Sequence, residues 1–167
     1  GIDCGSTTTK LALLGRELRL EVSQGAPEGV TVEGDAMKLR LRDPEDASRR
    51  ERLVERFLDE QCRQLFPRIL EEVYPPFREL GVAFPALRLR RMKSRWGSCL
   101  VGKGVVTLNK GLLAAPRGCI EYVAVHELCH FLHPDHSREF YQLLSRMMPD
   151  WKARRELLNR GVPGAGS

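Results

Sequence analysis

The chain contains no apolar run approaching the roughly 18 residues that a membrane-crossing helix needs, so no membrane is expected among its partners. It also has no C-x-x-C pair, and its five cysteines, at 4, 62, 99, 119 and 129, are odd in number. That argues against a disulfide framework and for reduced thiols. No charged-then-apolar secretory leader is visible, and both absences favour a cytoplasmic protein. Internal repeats and low-complexity tracts are missing too. A net charge of +5 is too mild to demand an anionic partner, although Arg88, Arg90, Arg91, Lys93 and Arg95 concentrate the excess. Aromatic side chains are sparse around that basic run, where Trp96 stands alone, so stacking on single-stranded nucleic acid has weak support. Histidine is scarce as well. The four histidines nevertheless lie together, at 126, 130, 133 and 136.

What is present begins there. His126-Glu127-Leu128-Cys129-His130 puts two imidazoles four positions apart, on one face of a helix and about 6 Å apart along its axis. Two such rings can reach one metal ion, and the intervening glutamate can reach a water on that ion. This is the HExxH zinc signature, with Glu127 as general base. A packed, metal-free histidine pair is the bland alternative. Against it stand the helix signals of residues 116–125, with Pro116 near the start and apolar residues at 120, 123 and 124, and the clustering of the remaining histidines. Cys129, inside the motif, reads as a small core residue.

The third ligand follows from helix geometry. His133 would lie about 10.5 Å along the axis from His126, too far for bonds of about 2.0–2.1 Å to a shared ion. Pro134 is expected to end the helix, and the turn at Pro134-Asp135 can bring His136 back over the metal. Ser137 or Asp135 can cap the helix that follows. His136 is the expected ligand, Glu139 the alternative, and His133 a supporting or surface residue. One Zn2+ per chain is the expected cofactor, with another transition ion as the alternative.

The rest of the sequence reads as α+β. At 167 residues the chain suits one domain and can bury about two-thirds of its unfolded surface. Residues 11–14 and 18–22, joined at Gly15-Arg16, and 30–32 and 38–42, joined at Gly34-Asp35, suggest two antiparallel hairpins with one wet face. Asp43 reads as the cap of a helix with Pro44 at its first position. Its apolar period runs to Tyr74, with a kink or break expected at Pro67 and a stop at Pro75-Pro76. Strands are expected around 87–93 and 105–108. Helices follow from about 116, from Ser137 through Met147, and over 151–158. The anticipated organisation is a single unit over 11–160, with hairpins at 11–42, helical structure at 43–80, a catalytic core at 86–160 and a tail at 161–167. The opening Gly1-Ile2-Asp3-Cys4-Gly5-Ser6-Thr7-Thr8-Thr9-Lys10 resembles the first phosphate loop of the actin-like ATPases. The further phosphate motifs of that fold do not follow, so residues 1–10 are expected to be a disordered leader.

Arg91-Met92-Lys93-Ser94-Arg95-Trp96-Gly97-Ser98-Cys99, then Thr107-Leu108-Asn109, the segment Tyr122 to His130, and His136-Ser137 with Phe140 together resemble the YgjP-like metal-dependent hydrolases. These are relatives of the SprT-like and WLM metallopeptidases within the zincins. The resemblance is strongest over 88–155 and weak over 10–42. It implies a zincin-like fold, in which small antiparallel sheets pack with the active-site helix. It also implies zinc at His126, His130 and His136, Glu127 as the catalytic base, and a substrate cleft lined by Arg95, Trp96, Gly97, Ser98 and the strand ending at Asn109. The chain departs from the metzincins in carrying His133 where they carry glycine. It departs from common YgjP-like sequences in carrying Cys129 where alanine is usual.

Three functions compete. The first is a zinc metallopeptidase whose extended substrate pairs with the strand at 105–109. The second is a metal-dependent nucleoside-triphosphate pyrophosphatase, an activity described for some YgjP-like proteins, with Arg88 and Arg90 as the phosphate wall. Three histidines favour zinc over the magnesium that phosphate chemistry usually recruits. The third is a nucleic-acid-associated protein with a structural metal. An intact Glu127 argues against it, since a structural site needs no base.

Overall fold

In the computed structural model, which describes residues 10–161, two small sheets and five helices enclose the histidine motif. The first sheet holds β1 (Lys10–Leu13), β2 (Arg16–Gln24), β3 (Gly29–Glu33) and β4 (Ala36–Leu41). Alternation sets its faces. Met37, Leu39 and Leu41 are buried while Lys38 and Arg40 point to solvent. Leu14 and Gly15, at φ 50° and 80°, make the tight turn of the first hairpin. Both hairpins are antiparallel, as expected, but they merge into one sheet in the order β1-β2-β4-β3. The joining pair, β2 and β4, is parallel, with Leu20 opposite Met37. Nothing local in either hairpin specifies that pairing; the shared apolar face, closed by Val54 of the first helix, does.

That helix, α1 (Ala47–Val73), starts later than Asp43. Asp46 is the cap, its carboxylate accepting from Arg49 N at 3.0 Å, while the Asp43 carboxylate accepts from Glu45 N in the preceding turn. Nor does Pro67 break it, because α1 continues unbroken to Val73. A proline inside a helix costs about 3 kcal/mol, whereas burying a large apolar side chain yields about 1.5–3 kcal/mol. Phe66, Ile69 and Leu70 flank the proline and are fully buried, which outweighs the lost hydrogen bond. A short α2 (Pro75–Glu79) follows, where the paired prolines end α1.

The second sheet has the order β5-β7-β6, from β5 (Ala86–Arg90), β6 (Gly97–Leu100) and β7 (Val105–Asn109). β7 is central, parallel to β5 and antiparallel to β6, so both of its edges are taken. It cannot be the strand on which a substrate docks. β6 was expected only as a turn, since Gly-Ser-Cys has little strand preference of its own; the apolar β7 templates it.

α3 (Arg117–Cys129) carries the motif and is buried on nearly every side, against α1, α4 (Arg138–Met147) and α5 (Trp151–Gly161). It does not reach Pro134. His130 already caps it, and one further turn, with His133 N donating to Cys129 O, leads into Pro134. Ser137, not Asp135, caps α4, its Oγ accepting from Phe140 N at 3.2 Å. The first sheet meets the turn that leads into α3, where Leu14 N and Gly15 N donate to Leu113 O and Ala114 O. Gly15 approaches so closely that a Cβ there would lie 2.8 Å from Pro116 Cγ. Among the described residues no helix is long and apolar enough to cross a membrane. The leader expected at 1–10, Lys10 apart, and the tail, Gly161 apart, lie outside the described residues.

Asp46→Ala should destabilise the protein by about 1 kcal/mol and Asp43→Ala by clearly less, which chemical denaturation of the two variants would measure.

Candidate metal centre and cleft

Helical spacing brings His126 and His130 onto one face of α3, with ring centroids 5.1 Å apart. His136, just before the α4 cap, completes the cluster at 5.2 Å from His126 and 4.7 Å from His130. One nitrogen from each ring can be chosen so that all three lie within 4.8 Å of one another. His126 Nε2 and His136 Nε2 are 3.2 Å apart. Tetrahedral ligands on bonds of about 2.0–2.1 Å would stand about 3.3 Å apart, so the pair is already at ligand spacing. Glu139, the alternative ligand, is exposed on α4 and does not belong to the cluster.

The second nitrogens matter as much. His130 Nδ1 lies 3.1 Å from the His133 carbonyl oxygen, which fixes a donor there and leaves Nε2 as a lone pair. His133 therefore supports the site, but through its backbone and not its imidazole. His126 Nδ1 is buried without a hydrogen-bond partner among the described residues, so the Nε2 side offers that ring its polar contact. Burial, with the neighbouring His130 and His136 adding to it, holds His126 down to about 3. Burial likewise lowers His130. Neutral rings are what a metal requires. Beneath them lies Phe140, fully buried, with its ring centroid 4.9, 4.6 and 5.0 Å from those of His126, His130 and His136. This apolar floor excludes water from behind the cluster. The donor set and its spacing suit zinc or a similar transition ion.

Glu127 borders the same cleft, of about 660 Å3, and is only 6% exposed. Burial pushes its carboxyl up to about 8, against the opposing pull of the Arg95 guanidinium. A carboxyl group with that affinity for protons has the pKa range that general acid–base chemistry near neutrality calls for. Its other neighbour is a gap. A Cβ on Gly97 would lie 3.0 Å from Glu127 Oε2 and 2.9 Å from Val123 Cγ1, so β6 can pack on α3 only through glycine.

Arg95, Trp96, Gly97 and Ser98 all line the cleft, as the resemblance implies. Asn109 does not. It is buried, and its Nδ2 donates to Met92 O and Arg95 O, both at 2.9 Å, while its Oδ1 accepts from Gly111 N. Its work is to hold the loop that carries Arg95 and Trp96, and that hold also ends β5 at Arg90 instead of Lys93. Arg88 and Arg90 are exposed on β5, across the sheet from β6, and neither borders the cleft. The sequence reading missed Tyr122 and Phe140. Tyr122 sits one turn before His126 and Phe140 one turn after His136, spacings that place each beside the cluster.

The family model described as YgjP-like, metallopeptidase domain, matches residues 6–161. The chain belongs to this family and is a hydrolase of the metallopeptidase class, built on a zincin-like fold. The match takes in the hairpins of the first sheet, where the motif resemblance is weak. Among solved structures, the metallopeptidase zymogen abylysin of Pyrococcus abyssi is 19% identical with a TM-score of 0.53, covering 62% of this chain and all of its own. The metallopeptidase zymogen jannalysin of Methanocaldococcus jannaschii is 17% identical with a TM-score of 0.49, covering 57% of this chain and 94% of its own. No curated protein matches the chain.

His136→Ala should lower zinc affinity by more than about 100-fold, since even supporting contacts to ligands are worth 10–100-fold, whereas His133→Ala should leave it nearly unchanged. Competition with a chromophoric chelator measures both. Gly97→Ala should keep the metal yet cut turnover by on the order of 100-fold, the scale of a roughly 1 Å misplacement of a catalytic group, here Glu127. Metal content and kcat of the purified variant test this together.

Proposed function

We propose that the protein is a zinc-dependent peptidase in which His126, His130 and His136 hold the ion and Glu127 is the general base. The observation that carries this reading is the placement of a buried carboxyl group next to three converging imidazoles, in a cleft walled by a strand that ends its sheet. A zinc ion held there supplies a Lewis acid that polarises the scissile carbonyl and acidifies a water. Glu127 accepts the proton of the attacking water and passes it to the leaving amine. The close packing of β6 on α3 at Gly97 limits the access of bulk water to that carboxyl group. The docking strand is β6, not the 105–109 strand, because β6 pairs only with β7 and its outer edge offers backbone donors and acceptors beside the cluster.

The pyrophosphatase reading rested on Arg88 and Arg90 as a phosphate wall, and both lie away from the cleft. The nucleic-acid reading rested on the same charges; on an edge strand they act equally well against aggregation.

Glu127→Gln should retain the fold and the metal and lose about 100- to 10,000-fold in peptide hydrolysis, the range for a general base. Turnover of quenched-fluorescent peptides by metal-loaded variant and unmodified protein is the measurement. Near-normal turnover in the variant would remove Glu127 from the reaction.

A further inference from the structure

The cleft wall along β6 differs chemically at its two ends. Before the strand, Arg95 borders the cleft, exposed, with its backbone carbonyl pinned by Asn109 Nδ2 at 2.9 Å. Among the described residues its guanidinium enters no salt bridge, unlike Arg19, Lys38 and Arg154. At the strand's far end, Leu100 and Val101 border the same cleft at 44% and 39% exposure. A single exposed aliphatic residue is ordinary, but two adjacent ones opening into a reactive cleft opposite an unpaired cation are a patterned surface. Glu127 lies between the two ends, against Gly97.

An extended chain paired to an edge strand advances about 3.3 Å per residue and so keeps step with it. Its backbone binds the edge without regard to sequence, and its side chains meet whatever stands at each end. We propose that the cleft selects extended peptides bearing an acidic side chain on the Arg95 side of the scissile bond and an apolar one on the Leu100–Val101 side. Arg95 and Leu100–Val101 are thus specificity residues, an assignment that rests on the peptidase reading. Buried Asn109 fixes the backbone that carries Arg95, which spares the substrate the cost of ordering that loop.

The test uses matched labelled peptides with aspartate or lysine at one position and leucine or serine at each of several positions beyond it, made in both chain directions. Binding is read by fluorescence anisotropy on zinc-loaded Glu127→Gln, and kcat/KM on zinc-loaded unmodified protein. Aspartate should be preferred over lysine by about five- to tenfold in one direction, and Arg95→Glu should invert that ratio. Leu100→Ser with Val101→Ser should abolish the leucine preference while leaving the aspartate preference intact. Ratios taken within one variant cancel any effect of Arg95 on Glu127. Cleavage of all peptides alike, or a preference that Arg95→Glu leaves unmoved, would overturn this assignment and leave the peptidase standing. Failure to bind or cleave any peptide would overturn both.

Discussion

A carboxylate held among hydrocarbon is the constraint around which this fold is arranged. Glu127 is almost wholly buried and has no hydrogen-bond partner among the described residues. An ionised group so placed costs several kcal/mol, and its proton affinity rises in consequence. The motif helix could relieve this by turning the residue outward. It cannot turn, because its other faces pack against α1, α4 and α5. Gly97 then sets how closely the cleft wall approaches, and Arg95 supplies the one cationic field noted at the carboxyl. That raised proton affinity is what a general base working near neutral pH would need, the role proposed for Glu127.

Around that centre the elements divide the labour. α3 contributes two imidazoles and the carboxylate, the turn before α4 returns a third imidazole, and Phe140 one turn later backs all three. Asn109 never meets the cleft yet positions it, since its amide ties the β7 end to two carbonyls of the Arg95 loop. The first sheet contributes by bracing the head of α3 through Gly15, where backbone meets Pro116 at a distance no side chain would allow. These are rigid supports on strands and helix ends, the arrangement that keeps a reactive cluster in register.

Much of the centre was legible in the sequence because its information is local. A spacing of four residues fixes two histidines on one helix face, and Pro134 with Ser137 announces the turn that returns His136. Local signals also misled. Asp43-Pro44 satisfies every rule for a helix start, yet Asp46 performs it, because Asp43 is engaged in the preceding turn. Pro67 reads as a break, yet buried neighbours carry the helix through it. Pro134 was given the end of α3, four residues beyond where His130 caps it. What no local pattern could show was the sheet order. Whether β7 lies at an edge or in the centre depends on β6, whose Gly-Ser-Cys sequence has no strand character without its partner. The docking strand and the true work of Asn109 were hidden for that one reason.

Sheet order also decides what the basic run can do. Arg88 and Arg90 alternate with Leu87 and Leu89 on β5, the leucines packing against the core and the arginines facing water. Parity along a strand separates them from the inward face that meets α3, and β7 separates β5 from the cleft-lining β6. Arg95 belongs to the same run in sequence but lies beyond the strand, on the loop that Asn109 draws back toward the cleft. A charge cluster continuous in sequence is therefore split in space into an exposed edge and one cleft cation. Of that run, only the cleft cation shares the cleft with the three histidines, Glu127 and β6.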